Sequence, residues 1–312
     1  MKKAAKTVSK DSETINLAGK MDDWGPWGKK EGQWLIFSVG NPEEGHGYAL
    51  PRSMDDLSAA HIAHMVQLKS GQRYVAHIPY TTDHQGAVAK DWAPRYIPLD
   101  EFKTKMVEFI KYFVKIYKGM GLPASKAVVI STHGGNDDIV NYQEEMRKEI
   151  GLEKFYILTG NMMAKEQNKV ILEIEKLSKV IAKPGEDPDD VAFKITQILT
   201  TAGHADHFEH SFAAAINVLD WEKLKVMNAA LEKSVDAALE KWPVLGGLGG
   251  FLLRGGKYTD AAGTKDHDKY GLWNALRGLR ELDNGRLVVM KEVGELVITL
   301  AVDYISQLLL NE

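Results

Sequence analysis

Apolar positions along the chain follow two periods. Short, mainly apolar runs at 35–39, 74–79, 127–130 and 155–158 are of strand length, that at 127–130 being fully apolar. Runs of that kind are what strands buried on both faces look like. Between them the apolar positions recur every three or four residues. The segment 55–69 does so through Leu57, Ala60, His61, His64, Met65 and Leu68, ending before Gly71. After Pro98, Phe102, Met106, Phe109, Phe113 and Tyr117 form one stripe, with Asp100 as the expected N-cap and Gly119 and Gly121 as the stop. Helical patterns follow at 164–182, 189–201, 208–219 and 221–241, and an apolar helix from about 294 to 310 closes the chain.

Short apolar strands alternating with amphipathic helices predict an α/β fold, a three-layer α/β/α sandwich with a mostly parallel central sheet. Residues 33–312 read as a single domain, without internal repeat or dividing linker. Residues 1–32 read as an N-terminal arm, polar and rich in Gly and Lys, whose Trp24 and Trp27 are expected to pack on a neighbour.

Charge and composition narrow the chemistry. The net charge of −4 gives no reason to expect nucleic acid or an anionic membrane as partner. No cysteine is present among the 312 residues, so thiolate nucleophiles, iron–sulfur clusters and Cys-based zinc sites are excluded. The apolar runs fall short of the roughly 20 residues that span a bilayer, and the start lacks a signal-peptide core. The expectation is a cytoplasmic protein acting on a small molecule.

Ligands of open α/β sheets bind outside the carboxyl ends of the strands. Three polar clusters fall there or at a helix start: Glu44 to Asp55 with His46 between them, Ser131 to Asp137 around His133, and His204 to Ser211. Mixed carboxylate and imidazole donors suit Zn²⁺, Mn²⁺ or Fe²⁺ better than Ca²⁺ or Mg²⁺. Asp55, with candidate ligands on both sides, can bridge two such ions, and ions about 3.5–4 Å apart can together hold a hydroxide and polarise a carbonyl. Histidines outside the clusters, namely His61, His64, His77 and His267, read as ordinary structural residues.

In order along the chain, these clusters resemble the creatininase family of metal-dependent amidohydrolases. Its Glu-x-His-Gly, Leu-Pro and following Asp are matched in register by Glu44, His46, Gly47, Leu50, Pro51 and Asp55. Its Pro-Tyr-Gly-x-Ser-x-x-His is echoed, with a one-residue difference in spacing, by Pro79, Tyr80, Thr81, Thr82, Asp83, His84, Gln85 and Gly86. His133, Gly134, Gly135 and Asn136 match its His-Gly-Gly-Asn. His204-Ala205-Asp206-His207-Phe208-Glu209-His210-Ser211 is similar to its late His-Ala-Gly-Glu-x-Glu-Thr-Ser. The chain departs from the family at Asp206-His207, where Gly-Glu is usual, at His210, and at Ala49, where many members have a second His.

The resemblance implies a hydrolase of a cyclic amide or formamide C–N bond, working through a metal-bound hydroxide on two divalent ions (Zn²⁺, Mn²⁺ or Fe²⁺). It implies Glu44, His46, Asp55 and His133 as metal ligands. The remaining ligand is either His207 as a neutral nitrogen donor, the favoured assignment, or Glu209 reaching in. His204 and Glu209 are the expected catalytic groups, with His204 shuttling a proton to the leaving nitrogen. Tyr80, His84, Arg95 and His210 are expected to shape the substrate pocket, and Arg52 and Arg95 are candidates for holding a phosphate-bearing substrate. The family's homo-oligomers, often hexamers, are expected here too. Two alternatives stay open: hydrolysis of a cyclic ketone or other non-amide ring bond on the same centre, and a metal-binding member that has lost activity. The Gly-rich stretch 246–256 reads as a lid or a subunit contact.

Overall fold

Four strands, β1 (Trp34–Val39), β2 (Arg73–Ile78), β3 (Lys126–Ser131) and β4 (Lys154–Leu158), form one sheet in the order β2-β1-β3-β4, every pair parallel. The computed structural model describes residues 33–160, 167–200, 204–234, 237–238, 241–242 and 286–312. The N-terminal arm, the 246–256 stretch and His267 lie outside the described residues.

Every residue of β1 is buried, because both sheet faces are covered. Trp34, Ile36, Val128 and Ile130 point to one side, against α1 (Met54–Ser70), α6 (His207–Ala215), α7 (Trp221–Lys233) and α8 (Lys291–Asn311). Leu35, Phe37, Val39, Val129 and Phe155 point to the other, against α2 (Leu99–Gly119) and α3 (Gln143–Ile150). This is the expected three-layer α/β/α arrangement. Beside it, α4 (Gln167–Ile181) and α5 (Pro188–Thr200) pack through Ile174, Val191, Ile195 and Ile198 onto Val293 of α8. At Gly294 a Cβ would meet the Ser211 carbonyl oxygen at 2.4 Å, so only glycine lets α8 come this close to α6.

Some boundaries differ from the pattern-based expectation. The cap of α2 is Pro98, in extended geometry, and Asp100 lies inside the first turn, where its charge faces the positive end of the helix. Helix α6 ends at Ala215 rather than 219, because Asn217 takes a left-handed turn with φ 60°. Helix α7 stops at Lys233, where Ser234 is extended. One described helix, α8, is long and apolar enough to cross a membrane by length and composition alone, contrary to the estimate from apolar runs. Half of its most apolar window is buried inside the protein, as in the core helix of a globular domain.

The chain leaves β1 for β2 on one side and returns past β1 to place β3 on the other. The carboxyl ends of β1 and β3 therefore flank the point where strand order reverses, where such sheets form their binding crevice. The first two polar clusters follow those two strands.

Candidate metal centre

The loop after β1 carries Glu44 and His46, and α1 opens on Asp55 in its first turn. Backbone bonds hold the loop in place: the Glu44 amide donates to the Arg52 carbonyl at 2.9 Å, and the Gly45 amide to the Trp92 carbonyl at 2.9 Å. Asn41 Nδ2 donates to Glu44 Oε2 at 3.1 Å and so aims the carboxylate. Thr132, just past β3, donates its hydroxyl to the Asp55 carbonyl at 2.7 Å. Asn136 ties three segments together, accepting from the Thr82 amide at 3.0 Å and the Thr81 hydroxyl at 3.2 Å while donating to the Gly40 carbonyl at 3.0 Å.

These tethers bring side chains from four parts of the chain to one buried point. His133 Nδ1 lies 3.1 Å from Glu44 Oε2 and 3.0 Å from Asp55 Oδ2. On the opposite side of the same carboxylate, Asp55 Oδ1 lies 3.5 Å from His46 Nε2. Glu209 Oε2 is 3.9 Å from His46 Nε2, and His204 Nδ1 is 3.5 Å from Glu44 Oε1. The imidazoles of His46 and His204 sit 4.4 Å apart, centroid to centroid. The donor atoms fall into overlapping groups with ion-binding spacing: Glu44, Asp55 and His133; His46, Asp55 and Glu209; and Glu44, His46 and His204.

The third cluster contributes through its helix cap. Asp206 is the N-cap of α6, its side chain accepting from the Phe208 amide at 2.9 Å and the Glu209 amide at 3.3 Å. Glu209 occupies the position three residues on, the spacing of a capping box. Its carboxylate folds back over the helix start and accepts from the amide of Ala205, a non-glycine residue at φ 53°. That turn aims Glu209 at His46.

Electrostatics fit a cation site. Burial disfavours charge on His46, yet the carboxylates of Glu209, Asp55 and Glu44 outweigh it and raise its pKa to about 10. His133 is likewise disfavoured by burial but pushed well above the ordinary histidine value by Glu44 and Asp55. Burial opposes ionisation of Asp55, but His46 and His133 hold it well below the ordinary carboxylate range. Burial raises Glu209. Three carboxylates drawn together inside the protein demand positive charge, supplied by protons on histidine or by metal. His46 Nε2 is buried with no hydrogen-bond partner and faces the Asp55 and Glu209 carboxylates. The donor set fits divalent ions of the zinc, manganese or iron type.

The structure places the other expected site residues elsewhere. His207 turns its Nδ1 away to accept the Val288 amide at 2.9 Å, and it belongs to none of the donor groups. His210 is buried, donates from Nδ1 to the Asp206 carbonyl at 2.8 Å, and is pushed down to about 4 by burial and by the neighbouring histidines. Helix α6 starts at His207, so His204 lies outside it and the three histidines do not share a helical face. Tyr80 packs edge-on to Phe109 at 6.4 Å in the layer under α2. His84 is exposed. Arg95 Nε donates to Glu43 Oε2 at 3.4 Å, and Arg52 lies 3.8 Å from Glu43, both beside the Glu44 loop. His77 bridges Ser38, at 2.8 Å, and Asp56, at 2.9 Å, as a structural residue between β1, β2 and α1. Sequence reasoning missed Asn41, Thr132 and Asp83, whose only signals were a turn before Pro42 and polar residues just past strand ends.

No family model matches the chain. A curated relative, the 2-amino-5-formylamino-6-ribosylaminopyrimidin-4(3H)-one 5'-monophosphate deformylase of Methanobrevibacter ruminantium, is 27% identical over 117 residues, 38% of this chain. The match spans 46% of that protein, so less than half of the relative's length is covered. The chain is also similar to creatininases. A creatininase mutant complexed with creatine aligns over 89% of this chain and 91% of its own at 14% identity, with a TM-score of 0.45. A creatininase mutant of zinc–zinc type aligns over 88% and 89% at 14% identity, with a TM-score of 0.43.

Proposed function

We propose that the chain is a creatininase-family, metal-dependent hydrolase of a C–N bond in a cyclic amide or formamide. The observation that carries this reading is Asp55, whose two carboxylate oxygens face two different imidazoles, His46 at 3.5 Å and His133 at 3.0 Å. A carboxylate used from both sides is the arrangement that bridges two cations. The sequence similarity to a deformylase supports the same class.

The proposed ligands are Glu44, His46, Asp55, His133 and Glu209, with Glu209 in place of His207. Divalent ions held there supply Lewis acidity and lower the pKa of bound water from 15.7 towards about 7. The rest falls to the chain. Asn41 and Thr132 fix the positions of Glu44 and Asp55, so that neither must reorganise during reaction. His204 sits at the edge of the cluster and is only partly buried, as Glu209 is, so it can carry a proton to the leaving nitrogen. His84 and Arg95 lie on exposed loops where they can meet a small substrate, whereas Tyr80 and His210 are committed to packing. A cytoplasmic homo-oligomer belongs to the same proposal.

Metal analysis of the purified protein, followed by a hydrolysis screen, tests it. The expected result is about two divalent ions per chain and turnover of one class among lactams and formamides. Turnover of cyclic ketones alone favours the non-amide alternative, and a protein that takes up no divalent metal overturns the proposal.

A further inference from the structure

We infer that Asp83 is a positioning residue for His133, a carboxylate placed behind the imidazole to orient it towards the ligand cluster. The inference rests on the metal-site reading above. It concerns a residue that the sequence passes over and that none of the donor groups contains.

Asp83 lies on the loop that follows β2 and is buried, with 7% of its surface exposed. Its Oδ1 accepts the Gln85 amide at 2.7 Å. That bond turns Oδ2 inward, where it accepts from Trp92 Nε1 at 3.4 Å and lies 3.9 Å from His133 Nε2. The other nitrogen of the same ring, Nδ1, is the one that faces Glu44 and Asp55. His133 is thus held between carboxylates on both sides, two from the proposed ligand set and one behind.

The backbone is shaped for this contact. A Cβ at position 135 would lie 2.3 Å from His133 Nε2 and 3.0 Å from Asp83 Cγ, so glycine there makes the approach of ring and carboxylate possible. Asn136, the next residue, bonds the Thr81–Thr82 loop and Gly40, locking the Asp83 loop to the ends of β1 and β3.

A ligating histidine whose distal N–H faces a carboxylate keeps its proton on that nitrogen and presents the other lone pair to the metal, with raised basicity. At 3.9 Å Asp83 is beyond hydrogen-bond distance of His133 Nε2, which is buried with no hydrogen-bond partner, so the carboxylate acts by its charge on the N–H dipole of the ring. Removing such an outer partner costs roughly 10–100-fold in metal affinity.

The test uses the full chain and zinc alone as the probe. Zinc affinity is measured by chelator competition in the parent and in Asp83→Asn, Asp83→Ala and Trp92→Phe. The Asn variant keeps an acceptor for the Gln85 amide while losing the charge, so it carries the test if the Ala variant fails to fold. Both Asp83 variants are expected to bind zinc roughly 10–100-fold more weakly, while Trp92→Phe, which removes the indole bond and some buried volume but keeps the Asp83 charge, stays near the parent. In the zinc-loaded protein the ¹H signal of the His133 Nε2–H is expected to move upfield in Asp83→Asn, the direction set by loss of the negative charge behind it, and to stay near the parent position in Trp92→Phe. Parent-like zinc affinity and an unmoved His133 signal in Asp83→Asn overturn the inference and leave the metal reading intact. A parent that binds no zinc overturns both.

Discussion

Gly40 lies backbone to backbone against Asp55: a Cβ at position 40 would sit 2.4 Å from the Asp55 carbonyl carbon and 2.4 Å from the Asp56 amide nitrogen. The contact joins the end of β1 to the start of α1 and so fixes where the shared carboxylate of the cluster projects. Nothing at this contact is a flexible side-chain end that could move aside. Gly40→Ala is therefore expected to cost at least the ~1–3 kcal/mol of an overpacked core, and to weaken metal binding with it. Urea unfolding and a metal titration check this. Gly119→Ala serves as the control, since a Cβ there meets nothing within 4 Å.

Asp55→Ala is expected to be the most damaging ligand substitution. It removes the one carboxylate common to the His133 group and the His46–Glu209 group. Hydrolytic activity should vanish and at least one of the bound ions should be lost. Full metal content in this variant, measured on folded protein, rules out a bridging role.

Glu209 and His207 separate cleanly. Glu209→Gln is expected to lose metal, because its carboxylate is the one aimed at His46. His207→Ala is expected to keep metal and to lose stability instead, by the ~1–3 kcal/mol of a buried bond partner left unmade at the Val288 amide. Metal stoichiometry and chemical denaturation of the two variants decide between them, and the reverse pattern makes His207 the ligand.

Stability of the metal-free protein should depend on pH in a way that metal removes. His46 and His133 have raised folded-state values, His46 to about 10. Their contribution is fully present below the ordinary histidine range, near 6.5, and is lost as pH rises towards 10. His210 runs the other way: its value is depressed to about 4, so the folded state is penalised as pH falls from 6.5 to 4. Melting of the metal-free protein should thus be highest near pH 6.5 and decline from there towards pH 10. Loading with zinc should flatten the alkaline side, because coordinated histidines are already neutral and carry no extra proton that this pH range would remove. An alkaline decline of equal size with and without zinc contradicts this.

Much of the architecture was legible along the chain. Mainly apolar runs flanked by helical stripes lead to a parallel sheet covered on both sides, because strands buried on two faces have few polar positions to alternate. Order along the chain put the Glu44–Asp55 and His133 clusters after strands, at the carboxyl ends where ligands bind, but only the strand order of the structure sets those two strands side by side at the reversal of the sheet. Periodicity could not decide how the third cluster faces. Its neighbours His207 and Glu209 are both ligand types, two residues apart, and either direction suits a pattern of one letter per position. The choice is made by Asp206 capping α6 and by the left-handed turn at Ala205, which fold Glu209 back over the helix start and send His207 to Val288. Asp83 was invisible for a similar reason. It gains its meaning only from His133, 50 positions away in the chain and brought within 3.9 Å by the packing of loops over Gly135 and Asn136. Residue type and spacing therefore determined a mostly parallel sheet and its three layers. Which side chains meet in the crevice was decided by caps, glycine contacts and long-range tethers, because the direction of a side chain depends on neighbours that local sequence does not specify.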